Sequence, residues 1–182
     1  MAMMQKNNGL ASATQEARVL LEISSGSGER YKVDPESHSK ELRGVLKTPL
    51  PKDLHYGFLG HTQAEDGDEL DIIVVSSRRI EAGDEIVTRP IGMLISYDER
   101  GSDDKIIAVD MLDATYSHIK EINELPEGMR GTIWEYTISS KYESSPDGFV
   151  RPESFSGSEA AKDKIDWARK RWIFGIEKRD MA

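Results

Sequence analysis

The 182-residue chain has no cysteine. Disulfides, thiolate metal sites, iron–sulfur clusters and cysteine nucleophiles are therefore excluded. Histidine is scarce, and His38, His55, His61 and His118 are scattered, with no pair at the spacing of a helical zinc site. Any metal would fall to carboxylates, which suit hard cations such as Mg²⁺, Mn²⁺ or Ca²⁺. No run approaches the ~18 consecutive apolar residues of a membrane-spanning helix. Residues 1–14 lack a basic start followed by an apolar stretch, so no secretory signal is read and a cytoplasmic protein is expected. Aromatic residues make up only 7%, and 33 acids outnumber 24 Lys and Arg for a net charge of −9. That balance argues against nucleic acid and anionic membrane as partners, because both need a basic surface and single strands also need stacking platforms.

What is present divides unevenly. Residues 1–16 are small and polar, the composition of a flexible N-terminal arm. Residues 17–182 read as a single domain. Order is expected from Arg18 to Ile23, a β-like run stopped by Ser24-Ser25-Gly26-Ser27-Gly28. Arg30 to Val33 alternates polar and apolar, and Asp34 to Lys52, with three prolines, reads as mostly loop or short strand. Strands are predicted at Tyr56–Leu59, Leu70–Val75, Ile86–Tyr97 and Asp104–Val109. Ile72-Ile73-Val74-Val75 is continuously apolar, as a central strand buried on both faces would be. Frequent Gly and Pro between these runs fit a small closed β-structure. Two helices follow. Gly131 to Lys141 is one, although Thr132, Ile133, Thr137 and Ile138 are β-branched. The other lies near 157–174, with Ser156 and Glu159 read as a capping box and Ala161, Ile165, Ala168 and Trp172 on one face. Residues 144–156 read as turn-rich. The fold class expected is mainly β with flanking helices (α+β).

The densest chemical signal is Glu65-Asp66-Gly67-Asp68-Glu69-Leu70-Asp71, where five of seven residues are acids bordering the apolar strand. Like charges this close repel, and a cation relieves them. In an extended chain Asp66 and Asp68 share a side, with Gly67 leaving room between them. An EF-hand reading fails, because Asp71 falls where that loop requires Gly. A second cluster, Asp98-Glu99-Arg100-Gly101-Ser102-Asp103-Asp104-Lys105, joins two predicted strands. Together the clusters could supply Asp66, Asp71, Asp98 and Asp103 to more than one divalent ion. Two ions ~3.5–4 Å apart can clamp a displacement at phosphorus. Phosphate also needs cationic and hydroxyl donors, and Arg30, Arg43, Tyr56, Lys105 and Lys141 lie in or beside predicted elements.

From about Arg18 to Ala161 the chain resembles the soluble family I inorganic pyrophosphatases. Asp66-Gly67-Asp68-Glu69-Leu70-Asp71 fits the family signature Asp-x-Asp-Pro-x-Asp except at Glu69. Tyr56-Gly57-Phe58 with His61-Thr62 precedes it, and Arg89-Pro90-Ile91-Gly92, Asp98-Glu99, Asp103 and Lys105 follow in family order. The resemblance implies a small closed five-stranded OB-like barrel with about two helices, and Mg²⁺- or Mn²⁺-dependent hydrolysis of pyrophosphate to two phosphates. Carried over by position, Asp66, Asp71 and Asp103 would ligate activating metals and Asp98 the metal that arrives with substrate. Asp68 would take the proton of the attacking water. Arg30, Tyr56, Lys105, Lys141 and Arg43 would bind substrate phosphate, and Glu22 and Glu99 would act as outer-shell carboxylates. A homo-oligomer, hexameric as in bacterial members, is also implied.

The departures lie around the substrate. Lys32 stands where the family has Glu, Gly44 where it has Arg, and Lys52 where it has Tyr. The family's Tyr-Lys pair is met by Lys141-Tyr142. Arg43, beside Gly44, would replace the missing Arg only through a one-residue slip that reverses a strand's faces. A hydrolase of another phosphoanhydride, such as a nucleotide or other diphosphate, and a catalytically poor metal- or phosphate-binding homologue are the alternatives these changes open.

Overall fold

Five strands join edge to edge until the last meets the first. The computed structural model describes residues 16–144 and 147–180, so the arm expected over residues 1–16 lies almost wholly outside the described residues. In chain order the elements are β1 (Ala17–Ile23), β2 (Glu29–Val33), β3 (Lys40–Val45), β4 (Leu54–Leu59), β5 (Leu70–Val75), β6 (Glu85–Asp98), β7 (Gly101–Ser102) and β8 (Lys105–Asp110). A 3₁₀ turn (Ile122–Glu124), α1 (Met129–Ser144), β9 (Val150–Gly157) and α2 (Ser158–Asp180) complete them. The ring runs β1-β4-β5-β8-β6 and returns to β1 through Ala17↔Thr88 to Leu20↔Glu85. β5 and β8 are its parallel pair, in register from Ile72↔Ile106 to Val75↔Val109. β2 and β3 form a separate two-stranded ribbon.

The apolar run of β5 meets the expectation of a strand covered on both sides. Ile72 and Val74 pack with Val19, Leu21, Ile106 and the α2 residues Ala161, Ile165 and Ala168. Ile73 and Val75 face the other way, onto Ile107, Val109 and the α1 residues Ile133 and Tyr136. All four β5 residues are fully buried, each contributing ~1.5–3 kcal/mol relative to exposure. The period of 2 in the strand therefore assigns one helix to each apolar layer.

Two expectations need correction. Residues 150–157 are not turn: Val150–Gly157 is a strand pairing antiparallel with β6, from Gly92↔Gly157 to Asp98↔Val150. Its pattern alternates, with Val150 and Pro152 buried and Arg151 and Glu153 exposed. Pro152 is tolerated because the register passes from Ile95↔Ser154 to Ser96↔Pro152, leaving Glu153 as an extra residue that interrupts the ladder beside it. Ser156, lying in that strand, does not cap α2. The helix starts at Ser158, and the cap comes from Glu121, which accepts the Ser158 N–H (3.0 Å) and the Ser158 hydroxyl (2.5 Å). A carboxylate at a helix N-terminus satisfies orphan N–H groups and complements the dipole. The helix itself is longer than the predicted 157–174.

Bulges aim the chain at one end of the ring. In β1 the register passes from Leu21↔Gly57 to Ile23↔Tyr56, leaving Glu22 as the extra residue. In the ribbon it passes from Arg30↔Gly44 to Tyr31↔Leu42, leaving Arg43 as the extra residue. Such insertions re-aim a side chain without shifting the whole strand. Gly57 permits the close approach of the β1 backbone beside that bulge, since a Cβ there would lie 2.1 Å from the Leu20 carbonyl oxygen. Substitution Gly57→Ala is expected to destabilise the fold by about 3 kcal/mol, within the range for overpacked cores. Urea unfolding of both proteins measures the difference.

Candidate functional site

The acidic loop between β4 and β5 is pinned at both ends. Buried Thr62 donates its hydroxyl to the Leu59 carbonyl (2.5 Å) and accepts the Leu70 N–H (2.9 Å). Within the loop Asp66 accepts the Asp68 N–H (3.1 Å), and Gly67 takes a φ of +96°, a conformation that favours glycine. Helix α2 holds the loop from outside. The Gln63 N–H donates to Ala168 O (3.0 Å), Arg171 donates to Ala64 O (3.3 Å), and the His61 ring packs against Trp172 at 4.6 Å.

The second cluster is the β6–β7 hairpin. Its turn is closed by the Arg100 N–H donating to Asp98 Oδ1 (2.7 Å) and by Gly101 at φ +124°. Ser96 ties the far side, accepting the Asp103 N–H at its carbonyl (2.8 Å) and donating its hydroxyl to Asp103 O (2.5 Å). Both clusters open onto one cleft of about 720 Å³, lined among others by Glu22, Arg30, Asp66, Asp68, Asp71 and Asp103. A smaller recess of about 190 Å³ adjoins it and is lined by Tyr56, Asp98, Lys105, Tyr136 and Lys141. Arg30, Asp71, Arg100 and Asp103 belong to both.

Cations knit these acids together. Lys105 Nζ lies 2.8 Å from Asp71 and 2.9 Å from Asp103. Lys141 Nζ lies 2.9 Å from Asp98 and 3.0 Å from Glu99. Lys164, from α2, bridges Glu65 (2.9 Å) and Asp104 (2.8 Å). Arg100 faces Asp66 (3.3 Å), Asp98 (3.8 Å) and Asp68 (3.9 Å). Burial alone would lower the Lys105 pKa, but the Asp71 and Asp103 carboxylates outweigh it and raise the value well above normal. Burial pushes the Asp103 carboxyl up despite Lys105. Burial would raise Asp98 too, yet hydrogen bonds from Lys141 and the Arg100 N–H hold its carboxyl below the usual range. Burial, helped by Asp71, holds the Tyr56 phenol protonated, and burial drives the Tyr136 phenol to about 12.

Asp66, Asp68, Asp71, Asp103, Arg30, Arg43 and Glu22 all line the larger cleft, and Asp98, Tyr56, Lys105 and Lys141 the recess. The slip that would have turned Arg43 away is avoided by the bulge. Glu99 stands apart: it lines neither space and is occupied by Lys141 and the Phe149 N–H (3.3 Å). Of the departures from the family pattern, Lys32 and Gly44 line the cleft, whereas Lys52 lines neither space. Sequence reasoning missed two residues. Arg100 lies within the second acidic cluster, where its sequence neighbours give it no distinct role. Tyr136 carries a buried hydroxyl with no hydrogen-bond partner among the described residues, on the α1 face that lines the recess one helical turn before Ser140. An unpaired buried hydroxyl costs ~1–3 kcal/mol unless a ligand satisfies it.

Among the described residues no three acidic or imidazole groups converge as a ready-made metal cage; Lys105 and Arg100 stand between them instead. The donor set nonetheless fits a hard cation. It consists of carboxylate oxygens crowded in excess of the cations that they share. Among the described residues no helix is long and apolar enough to cross a membrane.

The family model described as inorganic pyrophosphatase matches residues 19–173. The inorganic pyrophosphatase of Sulfolobus acidocaldarius is 37% identical over 161 residues, covering 87% of this chain and 92% of that one. That of Aquifex pyrophilus is 37% identical over 153 residues, covering 83% and 86%. Among solved structures, the inorganic pyrophosphatase of Helicobacter pylori superposes with a TM-score of 0.80 at 28% identity, covering 92% of this chain and 99% of the other. The Thermus thermophilus enzyme gives 0.80 at 30% identity, covering 89% and 94%.

Glu22 supplies a measurable signature of this crowding. Burial raises its pKa from 4.5 to about 7, Arg30 lowers it in part, and Asp71 and Glu69 add to the rise. A folded-state pKa above the unfolded one means that the native protein binds the extra proton. Stability of the metal-free protein should therefore fall as pH rises from about 4.5 through about 7. The Glu22 share is on the order of 2–3 kcal/mol. Urea unfolding in chelator across that window should show the fall, and Glu22→Gln should flatten it.

Proposed function

The chain belongs to the inorganic pyrophosphatase family, and on that premise we propose that its cleft hydrolyses inorganic pyrophosphate to two phosphates with the help of divalent cations. The observation that carries this reading is the meeting, in one cleft and its adjoining recess, of a carboxylate excess from two pinned loops with guanidinium, ammonium and phenol donors from five other elements. Asp66, Asp71, Asp98 and Asp103 would hold Mg²⁺ or Mn²⁺. Bound there, such ions would neutralise charge on phosphate oxygens and acidify water.

The chain's own residues then do the following. Asp68, whose side chain is 74% exposed and meets Arg100 only at 3.9 Å, is free to accept a proton from water attacking phosphorus. Its backbone is fixed by the bond to Asp66. Arg30, from β2, and Arg43, aimed by its bulge, present forked donors to phosphate oxygens. Lys105 and Lys141 add point charges, and the protonated Tyr56 and Tyr136 phenols add neutral donors from the recess. Glu22 orders Arg30 from 3.8 Å, while Glu99 steadies Lys141 from 3.0 Å. The leaving group is phosphate itself, so orientation and charge neutralisation carry the catalysis.

A second reading has its own observation. Gly44 sits opposite Arg30, with nothing within 4 Å of where a Cβ would be, and Lys32 adds a cation to the same wall. A roomier, more cationic wall favours acceptance of a larger diphosphate or nucleotide beside pyrophosphate. The same family reading carries a cytoplasmic location, a single domain over 17–182 and a homo-oligomer, hexameric by resemblance; sedimentation equilibrium measures the last.

Phosphate release with Mg²⁺ should be rapid from pyrophosphate and slower from nucleoside di- and triphosphates. Preference for a nucleotide would support the second reading, and silence on every substrate would overturn both. Asp68→Asn should keep the fold and cut turnover by about 10²-fold or more, the usual yield of a positioned proton acceptor. Tyr136→Phe should raise KM for pyrophosphate about fivefold with stability unchanged or higher, because it removes an unsatisfied buried hydroxyl. Lower stability in Tyr136→Phe with an unchanged KM would remove that phenol from the site.

A further inference from the structure

Arg100 is spread loosely over three acids that line the cleft and its recess. Its backbone is anchored, since the N–H donates to Asp98 Oδ1 at 2.7 Å. Its side chain is 57% exposed. Each guanidinium nitrogen turns to a different acid: Nη2 to Asp66 at 3.3 Å, Nε to Asp98 at 3.8 Å and Nη1 to Asp68 at 3.9 Å. None of these is the close, parallel pair by which Arg grips a carboxylate. Pairs this long and partly exposed hold a guanidinium weakly. Lys105 and Lys141, by contrast, sit within 3.0 Å of both their acids and are largely buried.

The three acids that Arg100 faces are those that the proposed function gives to cations and to the attacking water. Asp98 retains Lys141 when Arg100 moves, so the hairpin keeps its charge balance. Divalent cations on Asp66 and Asp98 would repel the guanidinium from its present place. The next anion within reach of a head that borders both cleft and recess is a phosphate group of the substrate. On the facing wall Gly44 brings no side chain. A forked donor arriving from the hairpin side therefore adds to Arg30 and Arg43, reaching phosphate oxygens for which Gly44 supplies no side chain.

We propose that Arg100 is a displaceable internal counter-ion. It balances Asp66, Asp68 and Asp98 until divalent cations load, and then turns its guanidinium onto the substrate's phosphate. The inference rests on the pyrophosphatase reading and adds a residue to it. It makes two predictions of opposite sign for one substitution. In Arg100→Gln, Mg²⁺ alone should bind about fivefold tighter by calorimetry, because a competing cation is gone. The non-hydrolysable methylenediphosphonate, titrated in saturating Mg²⁺, should bind about tenfold weaker, because a charge-assisted donor is gone. Arg100→Lys should leave Mg²⁺ affinity near wild type while still weakening the diphosphonate, since Lys keeps the charge but not the fork. Circular dichroism confirms that each variant is folded. Unchanged or weaker Mg²⁺ binding in Arg100→Gln, or unchanged diphosphonate binding in wild type and variant, would overturn the proposal. Both binding shifts without pyrophosphate turnover by wild type would overturn hydrolysis and leave Arg100 in its role. Turnover by wild type without the shifts would do the reverse.

Discussion

Charge crowding at one end of the strand ring is the constraint on which the rest of the structure depends. Two loops, one after β4 and one after β6, bring acids together that would separate in water. Lys105, Arg100, Lys141 and Lys164 each serve two or more of them. The sharing leaves an excess of negative charge, while burial, with smaller contributions from neighbouring acids, raises the pKa values of Glu22 and Asp103. A hydrophobic arrangement of the same volume would be more stable. The excess is retained at a cost, and a doubly charged cation relieves it more effectively than a lysine can.

The fold bears that cost by rigidity. β5 and β8 place Asp71 and Lys105 on strands whose neighbouring residues are fully buried, so neither backbone can move to relieve repulsion. Thr62 closes the acidic loop, and Ser96 closes the hairpin. Helix α2, started by the Glu121 cap, presses on the loop through Ala168, Arg171 and Lys164. α1 brings Tyr136 and Lys141 to the recess, and Glu143 latches it to the β3–β4 connection through the Lys47 and Thr48 N–H groups. Preorganised charge of this kind is the form in which enzymes stabilise a developing phosphate dianion.

Much of the architecture was legible from local patterns. The apolar run of β5 announced its burial on two faces, and Ala161, Ile165 and Ala168 announced the buried face of α2. The carboxylates were legible because crowding of like charge beside an apolar strand is itself informative. What escaped was set by long-range geometry. The cap of α2 comes from a residue 37 positions away, and the strand over Val150–Gly157 is accommodated by its own extra residue, Glu153, in the ladder with β6. Arg43 reaches the cleft through an extra residue that no spacing rule reveals. Arg100 looked like one charge in a charged turn, because its meaning comes from the loop opposite. Tyr136 became visible only as a hydroxyl without a partner.

The central claim is that the crowded carboxylates are built to receive divalent cations. Thermal unfolding of the chelator-treated protein, with Mg²⁺ added at constant ionic strength, tests it most directly, since a ligand that binds only the native state raises Tm by mass action. A saturable rise in Tm with Mg²⁺, absent when NaCl replaces it at equal ionic strength, is the result predicted. Equal Tm values in MgCl₂ and NaCl across the titration would contradict the claim, because the carboxylate excess would then be screened as bulk charge and not bound as a site.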